Sequence, residues 1–477
     1  MNSQTVNDSF RGDAGMGLKK GDIIEFTISD LVFGGKGLAK QDGMAVFVEK
    51  SVPPDRVMAQ IVKKKKNFAE ARLQSIIEPS PERIKAPCPY SGYCGGCKWQ
   101  FLDYGAQLRY KEQHVADSLA HIGLLKNIPI SPIIPSPDLF GYRNKMEFSC
   151  SDKKWLMPDE FETKEVEAGF ALGLHVPGTF SKVIDIEACL LQPPLGNQIM
   201  ADVRSFIKMS GISAHNLKTH EGFFRFLMLR HSSALNQWMV NFVTSDDRPD
   251  ILRPLAEKLM SAYPEISSIV NNITARKSGV AFGEYEKALL GDAFILDRIG
   301  RFEFEISANS FFQTNTKGAE ILYGVVKNFA DLSGNERVLD LYSGTGTIPI
   351  FLSDAAEEII GMEIVETAVD DARKNCLRND VTNCRFIKGD ARQEIVRLTE
   401  NPDVIIIDPP RTGMHQDVVD QVVKIAPKRI VYVSCNPATL SRDLIELNRH
   451  YWVSAVQPVD MFPHTYHIEC VVKLEKK

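Results

Sequence analysis

No stretch of this 477-residue chain approaches the roughly 20 consecutive apolar residues that span a bilayer, which excludes a helical membrane protein. The opening MNSQTVNDSFRGDAGMGLKKGD lacks an apolar segment followed by a cleavage site, so a cytoplasmic protein is expected rather than a secreted one. Cysteine is scarce: nine residues in so long a chain cannot form the disulfide framework of a secreted scaffold. A large excess of one charge is missing too, and a net charge of -5 argues against a surface that coats nucleic acid throughout. Internal repeats and extended low-complexity segments are absent. These absences leave a multidomain globular chain, and its length suggests three domains.

What is present is unevenly distributed. Over residues 17–78, runs such as DIIEFTISDL, MAVFVEK and DRVMAQIVKKKK carry β-branched residues and partial alternation, with turns at GGKG and QDG. They predict a small β-barrel behind a disordered tail over 1–16. From Gly17 to Ser75 there are 11 Lys or Arg against 7 Asp or Glu, including Lys63, Lys64, Lys65 and Lys66. Such a run is either a solvated strand end or part of a basic groove for an oligonucleotide. The Pro-rich EPSPERIKAPCP then opens a cysteine cluster. Up to about residue 305, strand-like runs (FRFLMLRHS, QWMVNFVTS) mix with a helical one (DILRPLAEKLMSAY), an α+β pattern. Within it, Asp138 to Cys150 (DLFGYRNKMEFSC) is basic and aromatic enough to touch RNA, and is equally well explained as an ordinary hairpin. From residue 306, apolar strands (VLDLYS, EIIGMEI, CRFIKGD, DVIIIDPP, RIVYVSC) alternate with helices, as in a doubly wound parallel α/β sheet.

In that last part, VLDLYSGTGTIPIFL is a strand, a turn at Gly344 and Gly346, and a helix start. Glycines there admit a ligand close to the backbone. Glu363 ends the next strand, where a carboxylate accepts from the ribose hydroxyls of a nucleoside cofactor. The third glycine of a dinucleotide fingerprint is missing, which fits S-adenosylmethionine better than NAD because no pyrophosphate needs a seat. Asp390 ends the third strand, where an acid commonly holds an adenine edge, and Asp408 ends the fourth. All lie at carboxyl ends of strands, where open α/β sheets bind ligands.

The cysteines divide by setting. Cys88, Cys94 and Cys97 stand as C-x5-C-x2-C with Gly95 and Gly96 between, and three thiolates in that pattern call for a metal. Cys189 is the best fourth ligand, with Cys150 a rival; zinc and a [4Fe-4S] cluster both suit four thiolates. The spacing differs from the C-x3-C-x2-C of radical chemistry. Cys435 ends an apolar run in RIVYVSCNPATL, where a thiolate can act covalently. Methylation of a uracil ring at C5 needs such a group: C5 is too poor a nucleophile until something adds to C6 and makes C5 carbanion-like.

Together, the basic barrel, the C-x5-C-x2-C with a distant cysteine, SFFQTN, DLYSGTGT, DPPRTG, SCNPATL and FPHTYHIEC resemble the RNA uracil-5-methyltransferase family from Leu18 to Cys470. The resemblance implies 5-methyluridine formation in 23S ribosomal RNA, with tRNA as the alternative substrate. It implies a TRAM barrel over 17–78, a central domain with a [4Fe-4S] cluster over 79–98 and 128–305, and a Rossmann-like methyltransferase domain over 306–477. A helical segment, 99–127, is expected to pack on that last domain. By the same resemblance Cys435 is the nucleophile and Glu469 the base. S-adenosylmethionine contacts fall on Gln313, Tyr342, Thr347, Glu363, Asp390 and Asp408, and cluster ligation on Cys88, Cys94, Cys97 and Cys189. Thr347 stands where relatives often carry Asn. RNA is the implied partner, with no DNA or membrane, and the chain is expected to be a monomer.

The residues give these roles chemical sense. A thiolate adds to a conjugated carbon and also leaves again. A carboxylate shielded within FPHTYHIE has a raised pKa suited to proton removal. Cys470, on the opposite face of a strand ECVVKL, belongs to the core. His464 and His467 are read as structural, with tuning of the base or phosphate binding as the other role. Arg411 is a catalytic helper or a structural ion-pair partner, and Phe311, Phe312 or Tyr142 could stack on flipped bases. Two other readings compete. DPPR also suits an amino-group methyltransferase, which needs no cysteine, and an RNA-binding folding factor could carry a vestigial donor pocket. A cytosine-5 enzyme would place its catalytic cysteine after Pro or Thr, whereas Cys435 follows Ser434.

Overall fold

The computed structural model of the chain describes residues 18–162, 169–216, 218–277 and 279–477, so the tail expected over 1–16 lies outside the described residues. The chain divides into two compact units, 1–84 and 85–477. In the first, β1 (Ile23–Thr27), β2 (Asp30–Val32), β3 (Lys36–Gln41), β4 (Met44–Glu49), β5 (Arg56–Lys64) and β6 (Phe68–Glu78) form one sheet in the order β1-β5-β6-β4-β3-β2. Alternation sets the buried face: Val57, Ala59 and Ile61 of β5 join Val46, Val48, Ala69 and Ala71 in a core of small and β-branched side chains. Lys63 to Lys66 are exposed at the end of β5, and Lys63 pairs with Glu70 at 2.8 Å. The buried carboxylate of Asp55 accepts from the Val52 and Ser80 amides and from the Arg83 guanidinium, which ties the exit of the unit to its sheet.

The second unit starts with the cysteine-bearing loop and α1 (Tyr104–His121), capped by Asp103, whose side chain accepts from the Ala106 amide. Next come β7 (Lys145–Ser151), α2 (Pro158–Glu162), β8 (Ala171–His175), β9 (Val183–Asp185), α3 (Pro194–Ser210), β10 (Phe224–His231), β11 (Trp238–Thr244), α4 (Pro249–Ala262), β12 (Ile266–Ile273) and β13 (Tyr285–Gly291). Their seven-stranded sheet runs β13-β12-β11-β10-β7-β8-β9. Only β11 and β12 are parallel, because α4 crosses between them. Ile199 and Val203 of α3 and Leu252, Leu255 and Leu259 of α4 pack on Phe148, Leu227 and Trp238 of this sheet.

The remaining elements are β14 (Phe294–Ile299), β15 (Phe302–Ser307), α5 (Thr316–Ala330), β16 (Arg337–Leu341), α6 (Thr347–Leu352), β17 (Glu358–Glu363), α7 (Glu366–Arg378), β18 (Cys384–Lys388), α8 (Ala391–Glu394), β19 (Val404–Ile407), α9 (Gln416–Ile425), β20 (Arg429–Ser434), α10 (Pro437–Leu447), β21 (Tyr451–Val459) and β22 (Glu469–Lys476). Strands β16 to β22 form a sheet ordered β18-β17-β16-β19-β20-β22-β21. The first five of these are parallel, and β22 and β21 are antiparallel additions. The winding direction reverses between β16 and β19, the crevice where such sheets hold ligands. The mixed α/β expectation therefore holds for this part of the chain.

Two features bear on the expected segmentation. The boundary placed between 305 and 306 falls inside β15, because Ile295, Ile299, Phe302, Phe304 and Ile306 of the β14–β15 hairpin bury into one cluster with Leu322 and Val326 of α5. Residues 85–305 also do not separate from 306–477 as a further compact unit. Polar ties across that line explain this: Asn144 donates to Thr316 Oγ1 at 2.7 Å, which donates to Asp297 at 2.6 Å. The helix α1 buries Val115 and Leu119 against Leu440, Leu444 and Leu447 of α10. Its Lys111, fully buried, pairs with equally buried Asp460 at 2.6 Å and donates to the Phe462 carbonyl at 3.0 Å. Tyr104 adds a second side-chain bond to Asp460 at 3.0 Å. A buried ion pair needs such extra hydrogen bonds to offset its desolvation, and losing one partner costs about 3–5 kcal/mol. This triad pins the segment leading to Glu469.

Candidate active site

A cavity of about 1820 Å³ opens at the carboxyl ends of β16, β17, β19 and β20, and its far wall comes from the central sheet through Tyr142, Arg143, Lys145, His175 and Glu286. Both the basic segment around Arg143 and the glycine turn thus face one space.

The turn is shaped by its backbone. Tyr342, Gly344 and Gly346 all have positive φ (69°, 54° and 78°), and a Cβ on Gly346 would come within 2.9 Å of both the Phe386 ring and the Ala372 methyl. Glu363 locks the turn: one oxygen accepts from the Gly344 amide at 3.0 Å and the other from the Val365 amide at 2.8 Å. Both oxygens retain lone pairs for a diol. Thr347 opens α6 and shares a 2.9 Å hydrogen bond with the hydroxyl of buried Tyr323. The Gln313 carbonyl accepts from Asn144 at 2.8 Å. Gln313, Tyr342, Thr347, Glu363 and Asp408 all line the cavity. Asp390 is not among its lining residues: it caps α8 through the Arg392 amide, and its carboxylate is held by the Arg392 guanidinium. That pair leaves further lone pairs on the Asp390 carboxylate.

At the opposite side of the switch point, Cys435 and Glu469 meet through sheet register. The antiparallel pairing of β20 with β22 sets Ser434 against Cys470, so the next pair outward is Cys435 and Glu469. Cys435 precedes α10, whose cap Asn436 accepts from the Ala438 amide; a thiol at a helix N-terminus gains some thiolate character. Burial nevertheless pushes Cys435 up to about 11, aided by the charge of Glu469 and opposed by Arg411. Glu469 is driven well above the usual carboxylate range by burial and then by Asp408, with Arg411 again opposing. Burial alone carries Asp408 up to about 7. Arg411 lines the cavity, and its carbonyl accepts from Asn436 and Thr439, which fixes it at the head of α10. Cys470 is fully buried in the core, on the other face of β22.

The two histidines differ. His464 is buried, stacks on Phe140 at 4.4 Å and meets Gln107 at 3.3 Å, while its carbonyl accepts from the Lys98 and Trp99 amides. His467 lines the cavity. Burial brings both down to about 4, so both are neutral near neutral pH. Phe311 is exposed at the cavity mouth, whereas Phe312 is core.

Cys88, Cys94, Cys97 and Cys189 line a second, small cavity of about 30 Å³, walled by Leu174, Ile186, Leu191 and Met146. Cys150 is not in its lining. Burial raises all four thiols, Cys94 to about 11 and Cys97 to about 12. Yet no three His, Cys, Asp or Glu side chains among the described residues converge closely enough to hold one metal ion. Gly96, Arg143, Met146 and Leu174 line both cavities, so a single wall separates them.

Two groups at the main cavity escaped the sequence reading. Asp340 of β16 and Ser343 in the turn are buried side chains without hydrogen-bond partners. For Asp340 the signal was available: a lone acid within the apolar strand VLDL, immediately before the glycine turn.

The model of the tRNA (uracil-5-)-methyltransferase family matches residues 287–477. An "uncharacterized RNA methyltransferase" of Chlorobaculum tepidum is 44% identical over 469 residues, covering 96% of this chain and 97% of that protein. One from Bacteroides thetaiotaomicron is 42% identical over 448 residues, covering 92% and 99%. Among solved structures, the Pyrococcus abyssi tRNA (uracil-54, C5)-methyltransferase in complex with S-adenosyl-L-homocysteine is similar with a TM-score of 0.75 and 30% identity. That similarity covers 94% of this chain and 100% of that one.

Proposed function

The chain belongs to the RNA (uracil-5-)-methyltransferase family, and on that footing we propose that it methylates C5 of a specific uridine in 23S ribosomal RNA by a covalent route through Cys435 and Glu469. The observation that carries the mechanism is the β20–β22 register, which sets Cys435 opposite Glu469 in the cavity that also holds the glycine turn and Glu363. S-adenosylmethionine is the methyl donor, consistent with the bound S-adenosyl-L-homocysteine of the similar archaeal enzyme. Gln313, Tyr342, Thr347, Glu363, Asp390 and Asp408 would hold it.

The steps follow from the side chains. Arg411 favours the thiolate of Cys435, whose sulfur bonds to C6 while the C5–C6 π pair moves onto C5 and the neighbouring carbonyl. C5 takes the methyl group, and the S–CH3 bonding pair stays on the donor sulfur. Glu469 removes the C5 proton, the double bond re-forms, and Cys435 leaves as thiolate. His467, neutral beside them, adds no charge that would compete with Arg411.

Four thiols around one apolar cavity suit zinc or a [4Fe-4S] cluster; the family resemblance favours the cluster, which Cys88, Cys94, Cys97 and Cys189 would ligate. The N-terminal sheet, with exposed Lys63 to Lys66, is read as a TRAM barrel that grips RNA backbone. The similar archaeal protein acts on tRNA, which favours tRNA as the second reading.

Methylation of 23S ribosomal RNA and of tRNA transcripts with labelled donor separates the substrates. RNA carrying 5-fluorouridine at the target should trap a protein–RNA adduct at Cys435. An adduct at another residue, or none with any methylated RNA, would overturn the covalent route.

A further inference from the structure

The cavity over the sheet is rich in buried acid and poor in cation. Asp340 sits in β16 between Leu339 and Leu341, both of which face the apolar cluster under α1 and α10. Alternation therefore turns Asp340 to the other face, towards α5, with 1% of its surface exposed. Both of its carboxylate oxygens lack a hydrogen-bond partner, and the residue lines the cavity. Ser343, three residues on, likewise presents an unpartnered hydroxyl there. A carboxyl group so placed is costly unless something compensates it. The groups that act on Asp340 are Asp408 from the end of β19 and Glu363 from the end of β17, both acidic. From α5 and β18 it is felt by Tyr323 and Cys384, neither of which supplies positive charge. Arg411 acts instead on Glu469 and Cys435.

The methyl donor brings two cations, an α-ammonium that the product keeps and a sulfonium whose fixed positive charge is lost on transfer. We propose that Asp340 discriminates by charge, so that the cavity holds the sulfonium donor more tightly than the neutral thioether left after transfer. This rests on the reading of the cavity as the S-adenosylmethionine site. Charge conservation gives the device its logic. When the methyl group leaves, the S–CH3 electron pair neutralises the sulfur, and the positive charge reappears as the C5 proton taken up by Glu469. Asp340 and Asp408 then face a neutral thioether sulfur, the attraction that favoured the donor is gone, and the product is free to leave. Burial raises the Asp340 carboxyl well above the usual carboxylate range, with Asp408 and Glu363 reinforcing this, and a cation bound beside it opposes that rise, so donor binding should expel a proton that product binding does not.

The test is equilibrium binding of three compounds without RNA: S-adenosylmethionine, S-adenosylhomocysteine, and sinefungin, which carries an amine in place of the sulfonium methyl. Asp340→Asn should weaken the two cationic ligands about tenfold while changing the neutral one much less, a difference equal to one charge contact. Equal weakening of all three would overturn the proposal, because Asp340 would then serve a group common to donor and product. So would unchanged affinities. Should the variant fail to fold, calorimetry on the unaltered protein in buffers of different ionisation enthalpy decides. Proton release with the two cationic ligands and none with S-adenosylhomocysteine supports the device, and equal release with all three refutes it. Failure of the covalent route would not touch these binding ratios, whereas absence of binding by any of the three would remove the donor site itself and this proposal with it.

Discussion

Two cavities in the second unit are lined by cysteine, and they use it differently. One holds a single thiol, Cys435, in about 1820 Å³ beside Arg411, Asp408 and Glu469; the other gathers four thiols into about 30 Å³ of apolar wall. Burial raises the thiols of both, to about 11 for Cys435 and Cys94 and about 12 for Cys97. Left alone, none is a thiolate at neutral pH. The difference lies in what would ionise them. For four adjacent thiols a metal would serve, since its binding would expel their protons. A lone thiol flanked by a guanidinium and a helix N-terminus can be deprotonated transiently, one turnover at a time.

The strongest test of that contrast removes the lone thiol. Cys435→Ala should lower turnover about 10⁴-fold or more while RNA and donor affinities stay near those of the unaltered protein. Gel-shift and donor titration, run beside the methylation assay, would separate the two. Retention of activity would mean that the large cavity works without covalent chemistry, as an amino-group methyltransferase would.

Glu469→Gln should reduce turnover about 10³-fold, because Gln cannot take the C5 proton. Here the signature matters more than the size: the methylated RNA should stay attached at Cys435, visible as a slower band in denaturing gels. If the variant is slow and no adduct accumulates, proton removal belongs to another group, with Asp408 the nearest alternative.

How far these roles were readable beforehand varies with the kind of signal. The parallel strands were legible because VIIIDPP and RIVYVSC are continuous β-branched runs, the mark of strands buried on both faces. Glycine positions at 344 and 346 were legible because positive φ leaves few alternatives. The Lys111–Asp460 pair was not: a lysine amid polar helix positions looks solvent-facing, and its partner lies 349 residues away. The ion pair of Asp390 with Arg392 was hidden for a related reason, since Arg392 carries no sequence mark of claiming a carboxylate. The Cys435–Glu469 meeting depends on a β20–β22 register that periodicity cannot fix. In each failure the deciding partner was a distant or unremarkable residue.

Arg411 sharpens the comparison, since it gives Cys435 the cation that the four-thiol cavity would draw from a metal. Arg411→Gln should raise the pKa of both Cys435 and Glu469, because the guanidinium lowers each of them. A higher thiol pKa means less thiolate at a given pH, and a higher Glu469 pKa means less ionised base. Both effects move the rising limb of the pH–rate profile to higher pH. Turnover near neutrality should fall about tenfold and recover in part as the pH is raised. A uniform fall with an unshifted profile would mean that Arg411 only supports the α10 loop through its carbonyl.

The smallest effect on chemistry should come from the other cavity. Cys97→Ser removes one thiolate of four, so iron and sulfide should be lost from anaerobically purified protein together with cooperative stability. The kcat/KM should drop only about threefold, through RNA affinity rather than the covalent step, because Arg143 and the Gly96 loop form the wall shared with the large cavity. A second link makes this result informative. The Lys98 and Trp99 amides, directly after Cys97, both donate to the His464 carbonyl at 2.9 Å, on the segment that leads to Glu469. If loosening Cys97 disturbs that segment, adduct resolution will slow as well, and 5-methyluridine-bearing RNA will linger on Cys435 as in Glu469→Gln. A variant that loses iron yet resolves its adduct at the normal rate would show that the four thiols shape RNA binding alone, and protein that carries zinc without sulfide would rule out the cluster.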